Sequence, residues 1–125
     1  MKGAAGAIAE ALAAARTDHH PVLLDFGADW CPDCRVLDKL YAQSTVSALL
    51  APNFHLVPID VGQFDKNLDV AAKYVDLRTS GIPALVVLTP QGRVAYASND
   101  GGFANARTMK PTQLAAFLRR WADAG

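Results

Sequence analysis

The alternation of strand-like and helix-like segments predicts an α/β fold in three layers, a mixed sheet of about four strands with helices on both faces. Three observations carry that expectation. The run Val22 to Phe26 is apolar apart from Asp25, which suits a central strand covered on both sides. Two stripes have helical spacing: Val36, Leu37, Leu40 and Tyr41 at i, i+1, i+4, i+5, and Leu114, Phe117, Leu118 and Trp121 at i, i+3, i+4, i+7. Between them Ala84 to Leu88 reads as a strand, and Thr89-Pro90-Gln91-Gly92 supplies the turn that folds Arg93 to Ala97 back as a hairpin partner.

In chain order, a first helix is expected over residues 4–16, where Ile8 and Leu12 fall at helical spacing. Glu10 interrupts this Ala-rich start, which favours an amphipathic helix over a secretory leader. Thr17-Asp18-His19-His20-Pro21 ends it, and the first strand follows. One long helix is expected from about Pro32 to Leu50, broken by Ala51-Pro52-Asn53. Phe54 to Val61 reads as a second core strand, with Pro58 restricting its place in a ladder. Asn67 to Tyr74 is a short helix with Val70, Ala71 and Tyr74 on one side, and Val75 to Ser80 is a loop. Ser98 to Thr108 is a polar, Gly-containing loop, and the last helix starts near Pro111.

A length of 125 residues predicts a single domain, 1–125. Hydrophobic residues make up 51% and charged residues 19%, enough to bury a core and too apolar for disorder. Twelve basic and twelve acidic side chains balance to zero, which gives no electrostatic reason to expect nucleic acid or anionic membrane as a partner. No stretch approaches the roughly 18 apolar residues of a membrane span. The default compartment is the cytoplasm, with an exported and processed form as the alternative.

Both cysteines lie in one motif, Trp30-Cys31-Pro32-Asp33-Cys34, directly after the first strand. Pro32 sits where a helix begins, because its missing N–H would be unpaired there anyway. Cys31 therefore falls at a helix N-terminus, whose free N–H groups and dipole favour a thiolate. The only internal disulfide available closes a four-residue loop, which constrains the unfolded chain little. Redox chemistry explains the pair better than stability does. Cys31 is expected to attack a disulfide and Cys34 to resolve the mixed species. Zinc is the competing reading, but it wants four ligands, and His19, His20 and His55 lack the usual spacing. No metal and no bound organic cofactor is expected.

Asp25 lies six residues before Cys31, inside the apolar strand. It is either a strand-end carboxylate reaching solvent or a buried carboxyl beneath the thiols. Burial raises a carboxyl pKa, which would suit proton transfer with Cys34. Trp30 is either a core residue or a flat surface beside the nucleophile, and Pro83 either an ordinary strand-start proline or something more specific.

Asp25, Trp30-Cys31-Pro32-x-Cys34 and Gly81-Ile82-Pro83, in this order, resemble the thioredoxin superfamily over about Ala4 to Trp121. The resemblance implies the thioredoxin fold and a thiol–disulfide oxidoreductase, with Asp25 as proton shuttle and a cis Ile82–Pro83 bond opposite Cys31. Trp30, Pro32, Ile82 and Pro83 would then hold the substrate, an extended segment adding to the exposed backbone. The expected partners are protein disulfides and an upstream redox protein, and the expected state is a monomer. Isomerase or oxidase activity in an oxidising compartment uses the same residues, and a redox-idle binding module is the non-enzymatic alternative.

Three departures from ordinary thioredoxin stand out. Pro32-Asp33 stands between the cysteines where ordinary thioredoxin has Gly-Pro, and Asp33 is the most informative change. A carboxylate roughly 7 Å from a thiolate opposes its ionisation by about 2 kcal/mol at an effective dielectric of about 20. Arg35 is expected to offset part of this, and the potential to lie toward the reducing end, about −270 mV. Gly27 stands where thioredoxin usually carries an aromatic residue, which predicts a more open groove beside Trp30. The segments 76–80 and 98–107 are longer than in thioredoxin, and 98–107 is either a tolerated surface insertion or part of the groove rim. These features are more similar to bacterial thioredoxin-like proteins, including the C-terminal domain of the periplasmic protein DsbD.

Overall fold

The computed structural model describes residues 3–124, so the ends of the expected 1–125 unit lie outside the described residues. Its elements are α1 (Ala4–Asp18), β1 (Val22–Gly27), α2 (Pro32–Tyr41), α3 (Ser44–Asn53), β2 (His55–Asp60), α4 (Leu68–Ala72), α5 (Leu77–Ser80), β3 (Ala84–Leu88), β4 (Val94–Ala97) and α6 (Pro111–Trp121), with a 3₁₀ turn at Ala106–Thr108 before α6. The four strands form one mixed sheet in the order β2-β1-β3-β4. β1 pairs parallel with β2 and antiparallel with β3, and β3 pairs antiparallel with β4. The three-layer α/β expectation therefore holds.

The pleat of β1 divides the interior. Val22, Leu24 and Phe26 face one way, into a core shared with Ile8, Val57 and Val86. Leu23 faces the other way, into a core with Leu37, Val46, Leu85, Leu114 and Leu118. Asp25 and Gly27 share the parity of Leu23 and so point toward α2. Among the described residues no helix is long and apolar enough to cross a membrane.

Four local expectations need correction. The long helix is two helices, α2 and α3, separated at Ala42-Gln43, where Gln43 is extended at φ −65°, ψ 138°. Val46 lies nine residues beyond Leu37, about two and a half turns of a continuous helix, and would face away from the core. The break turns Val46 and Leu50 inward, both buried. Pro52 does not stop α3, which runs on to Asn53, and its C-terminal carbonyls at Leu49 and Leu50 accept from Asn53 Nδ2 and Phe54 N. β2 is an edge strand, not a central one. At its start His55 N donates to the Pro21 carbonyl and just past its end Val61 N donates to Gly27 of β1, so Pro58, of opposite parity, turns its missing donor outward. Part of the expected 75–80 loop is helical, because Asp76 Oδ1 caps α5 by accepting from Arg78 N at 3.0 Å.

The 98–107 segment is built into the molecule. Ser98 Oγ accepts from Leu85 N at 3.0 Å, Phe103 packs edge-on to Phe117 with ring centroids 4.9 Å apart, and Phe103 and Ala106 are buried. It lies against α2 through the 3₁₀ turn.

Candidate active site

The site forms where β1 ends and α2 begins. Cys31 is the N-cap of α2, extended at φ −79°, ψ 114°, and Pro32 follows it. Cys31 Sγ accepts from Cys34 N at 3.1 Å, so a thiol takes the place of the usual capping oxygen on one of the free helix N–H groups. The same sulfur lies 3.7 Å from the carbonyl oxygen of Ile82, to which its S–H donates. The Ile82–Pro83 peptide bond is cis. Both cysteines are free thiols in the interior, 4% and 7% exposed.

Cys34 lies beneath the surface on the β1 side. A Cβ built on Gly27 would come within 3.1 Å of Cys34 Sγ and 3.9 Å of Asp25 Oδ1, so glycine is what lets these two groups approach the same stretch of backbone. Gly27 opens a cavity of about 350 Å³ over Asp25 and Cys34, rimmed by Asp29, Arg35 and Asp38. The space expected beside Trp30 is therefore over the inner thiol. Burial, then the contact with Cys31, pushes the Cys34 thiol well above its ordinary range.

Asp25 is 7% exposed, which decides for the buried reading. Burial raises its pKa to about 7, and Tyr41 works against that rise by donating its hydroxyl to Oδ2 at 3.1 Å. Tyr41 itself stays a neutral donor, since burial of its hydroxyl and the neighbouring Asp25 carboxyl push its pKa well up. Sequence reasoning placed Tyr41 only in an apolar stripe. Its spacing of seven from Cys34 puts both on one face of α2, the face above Asp25, and that signal was there to be read. Replacing Tyr41 with Phe removes a hydrogen bond to a charged group, about 1.5–3 kcal/mol. The Asp25 titration is expected to move up by roughly one to two units, measured by carboxyl chemical shifts against pH; an unmoved titration would deny Tyr41 this role.

Trp30 is 49% exposed, so it is a surface and not a core residue. Its Nε1 donates to the Gly62 carbonyl at 2.8 Å, and its ring meets exposed Phe64 edge-on at 6.1 Å between centroids. Pro32 is exposed beside it, whereas Ile82 and Pro83 are buried. Of the four residues expected to hold substrate, two thus present area and two lie beneath. Phe64 also borders a larger groove of about 860 Å³ between α4 and α5, which contains neither cysteine.

Asp33 is held by a residue the sequence did not single out for it. Its Oδ1 accepts from Arg107 N at 2.9 Å and lies 3.8 Å from Arg107 Nε. The partner is Arg107 of the 98–107 segment.

A dithiol at the N-terminus of the helix after the central strand, beside a cis-proline loop and over a buried carboxyl, defines a thioredoxin-fold dithiol protein. A family model described as thioredoxin-like matches residues 4–90. The chain belongs to the thioredoxin-like family. It is 30% identical over 112 residues to thiol:disulfide interchange protein DsbD 2 of Pseudomonas aeruginosa, a match covering 88% of this chain and 17% of that protein. A Campylobacter jejuni DsbD is 28% identical over 71 residues, 57% of this chain and 12% of that one. The chain spans under a fifth of the length of these relatives. A crystal structure of a disulphide isomerase from Xylella fastidiosa Temecula1 is 43% identical, with a TM-score of 0.90 and coverage of 95% of this chain and 91% of that one.

Proposed function

We propose that this chain is a thiol–disulfide oxidoreductase that works in the direction of reducing protein disulfides. One observation carries the reading: a free dithiol in which the Cys31 sulfur caps a helix and the Cys34 thiol is kept protonated by burial beside a carboxyl titrating near 7. The Cys31 thiolate attacks a substrate disulfide, forming a mixed disulfide and releasing one substrate thiolate. Asp25 takes the Cys34 proton, and the Cys34 thiolate attacks the Cys31 sulfur. The second substrate thiol leaves, and two electrons have passed to the substrate while Cys31 and Cys34 become a disulfide. An upstream redox protein returns the electrons. Trp30 and Pro32 supply the exposed contact area.

The direction rests on how the reduced pair is stabilised. Strong oxidants of this class owe their potential to a strongly stabilised reduced form. Here, among the described residues, a single backbone N–H donates to Cys31 Sγ. The likeness to a disulphide isomerase favours a second reading, disulfide shuffling. The reduction potential separates them. Equilibration with glutathione or dithiothreitol, read by thiol alkylation, is expected to give a value below about −230 mV, toward the thioredoxin end. A value above about −180 mV would favour the isomerase or oxidase reading.

A further inference from the structure

We infer that Arg107 is a positioning residue for the dithiol: by clamping the Asp33 carboxylate between the two cysteines, it limits the effect of that charge on Cys31 and so sets the redox equilibrium of the pair. The inference rests on the dithiol reading above and concerns how that chemistry is tuned.

The geometry is specific. Asp33 occupies the first turn of α2, the place where an acid is best received by the helix dipole and where it competes with the Cys31 sulfur for the same positive field. Its side chain is only 14% exposed, because Arg107 covers it from a position 74 residues away in sequence. Two contacts converge on one oxygen, the Arg107 backbone N–H at 2.9 Å and its Nε at 3.8 Å. The turn that carries Arg107 is anchored by buried Ala106 and Phe103, so its backbone N–H is held against α2 whatever side chain it carries. A carboxylate alone acts on a nearby thiolate as a charge. A carboxylate paired with a guanidinium acts as a dipole, whose field falls off faster. The segment 98–107 is thus a part of the redox machinery and not a tolerated insertion.

The sign follows. Removing the guanidinium leaves Asp33 hydrogen-bonded to the backbone but uncompensated. The thiolate is then less favoured, the reduced pair less stable, and the equilibrium moves toward the disulfide. Removing the Asp33 charge acts in the opposite sense. Arg107 is 65% exposed, so solvent screens the pair and the effect is modest. The other charged or titratable side chains on β1, the turn after it and α2 are Asp25, Asp29, Arg35, Asp38, Lys39 and Tyr41. They are common to every variant compared.

The test measures the equilibrium constant with glutathione, and the pH midpoint of Cys31 alkylation, for Arg107→Ala, Arg107→Lys, Asp33→Asn and the Arg107→Ala/Asp33→Asn double variant. Arg107→Ala is expected to shift the equilibrium about threefold toward the disulfide, about 14 mV at 29.6 mV per tenfold, and to move the alkylation midpoint up. Asp33→Asn is expected to shift it about fivefold the other way, about 20 mV on the same conversion. Arg107→Lys keeps the value of the parent chain, and Arg107→Ala adds nothing once Asp33 is Asn. A parent-like equilibrium in Arg107→Ala, or an undiminished effect of Arg107→Ala in the Asp33→Asn background, overturns the clamp while leaving the oxidoreductase reading intact. A parent chain whose thiols do not equilibrate with glutathione at all overturns both.

Discussion

Replacing Cys31 with Ser is expected to reduce the dithiothreitol-driven reduction of insulin to the rate of dithiothreitol alone. The two thiols are about equally covered, so exposure does not distinguish them. Their electrostatics do. Cys31 Sγ receives a helix N–H from Cys34 at 3.1 Å, and a donor to sulfur favours the thiolate that must do the attacking. Cys34 lies beside Asp25, its thiol held in the neutral form chiefly by burial. It is poorly placed to start the reaction and well placed to finish it, once a substrate occupies Cys31 and Asp25 can take its proton. A serine hydroxyl is a far weaker nucleophile toward sulfur, so Cys31→Ser should stop the first step. Cys34→Ser should instead stop the second and accumulate a mixed disulfide on Cys31, visible as added mass on a non-reducing analysis. Turnover retained in Cys31→Ser, or a trapped adduct on Cys34, would reverse the assignment.

What the sequence made legible was local. The apolar run around Asp25, the proline at the start of α2 and the spacing of the cysteines each report on a few neighbouring residues, and the structure places all three as read. The boundary of α2 was not legible, because Val46 and Leu50 are apolar at a spacing that a single helix could carry only by turning them outward. The break follows from where the core lies, which is a property of the assembled sheet. The same holds for the partners of the site. Tyr41 meets Asp25 across 16 positions and Arg107 meets Asp33 across 74. Tyr41 had a helical spacing to Cys34 as a signal. Arg107 had none, since its place depends on Phe103 and Ala106 anchoring a segment that reads as polar loop. Gly27 was noticed as a missing aromatic, but the consequence lay over Cys34 and Asp25, because the pleat of β1 turns position 27 toward α2.

Replacing Asp25 with Asn is expected to act on rate and stability together, with opposite signs. A positioned general base contributes about 10²–10⁴-fold to a proton transfer. Water entering the cavity over Cys34 can replace part of that function, so a loss of roughly tenfold to a hundredfold in resolution of the mixed disulfide is expected. The parent rate should rise with pH through about 7, where Asp25 becomes a base, and Asp25→Asn should lack that inflection. For stability, the folded pKa lies above the ordinary 3.8. Between about pH 4 and 7 the folded chain therefore holds a proton that the unfolded chain has released. Stability then falls as pH rises through this window and is level above it. Three units correspond to about 4 kcal/mol, the cost of charging a carboxyl in the interior. Asn can still accept from Tyr41 and carries no charge, so Asp25→Asn should be the more stable chain at pH 8 and lose most of its advantage near pH 4. Denaturant titrations at the two pH values measure the difference directly. Equal stabilities at pH 8, together with an unchanged pH–rate profile, would mean that Asp25 keeps its charge against solvent and has no part in moving the Cys34 proton. A gain in stability with a loss of rate would mark the carboxyl as one that is retained for chemistry at the expense of the fold.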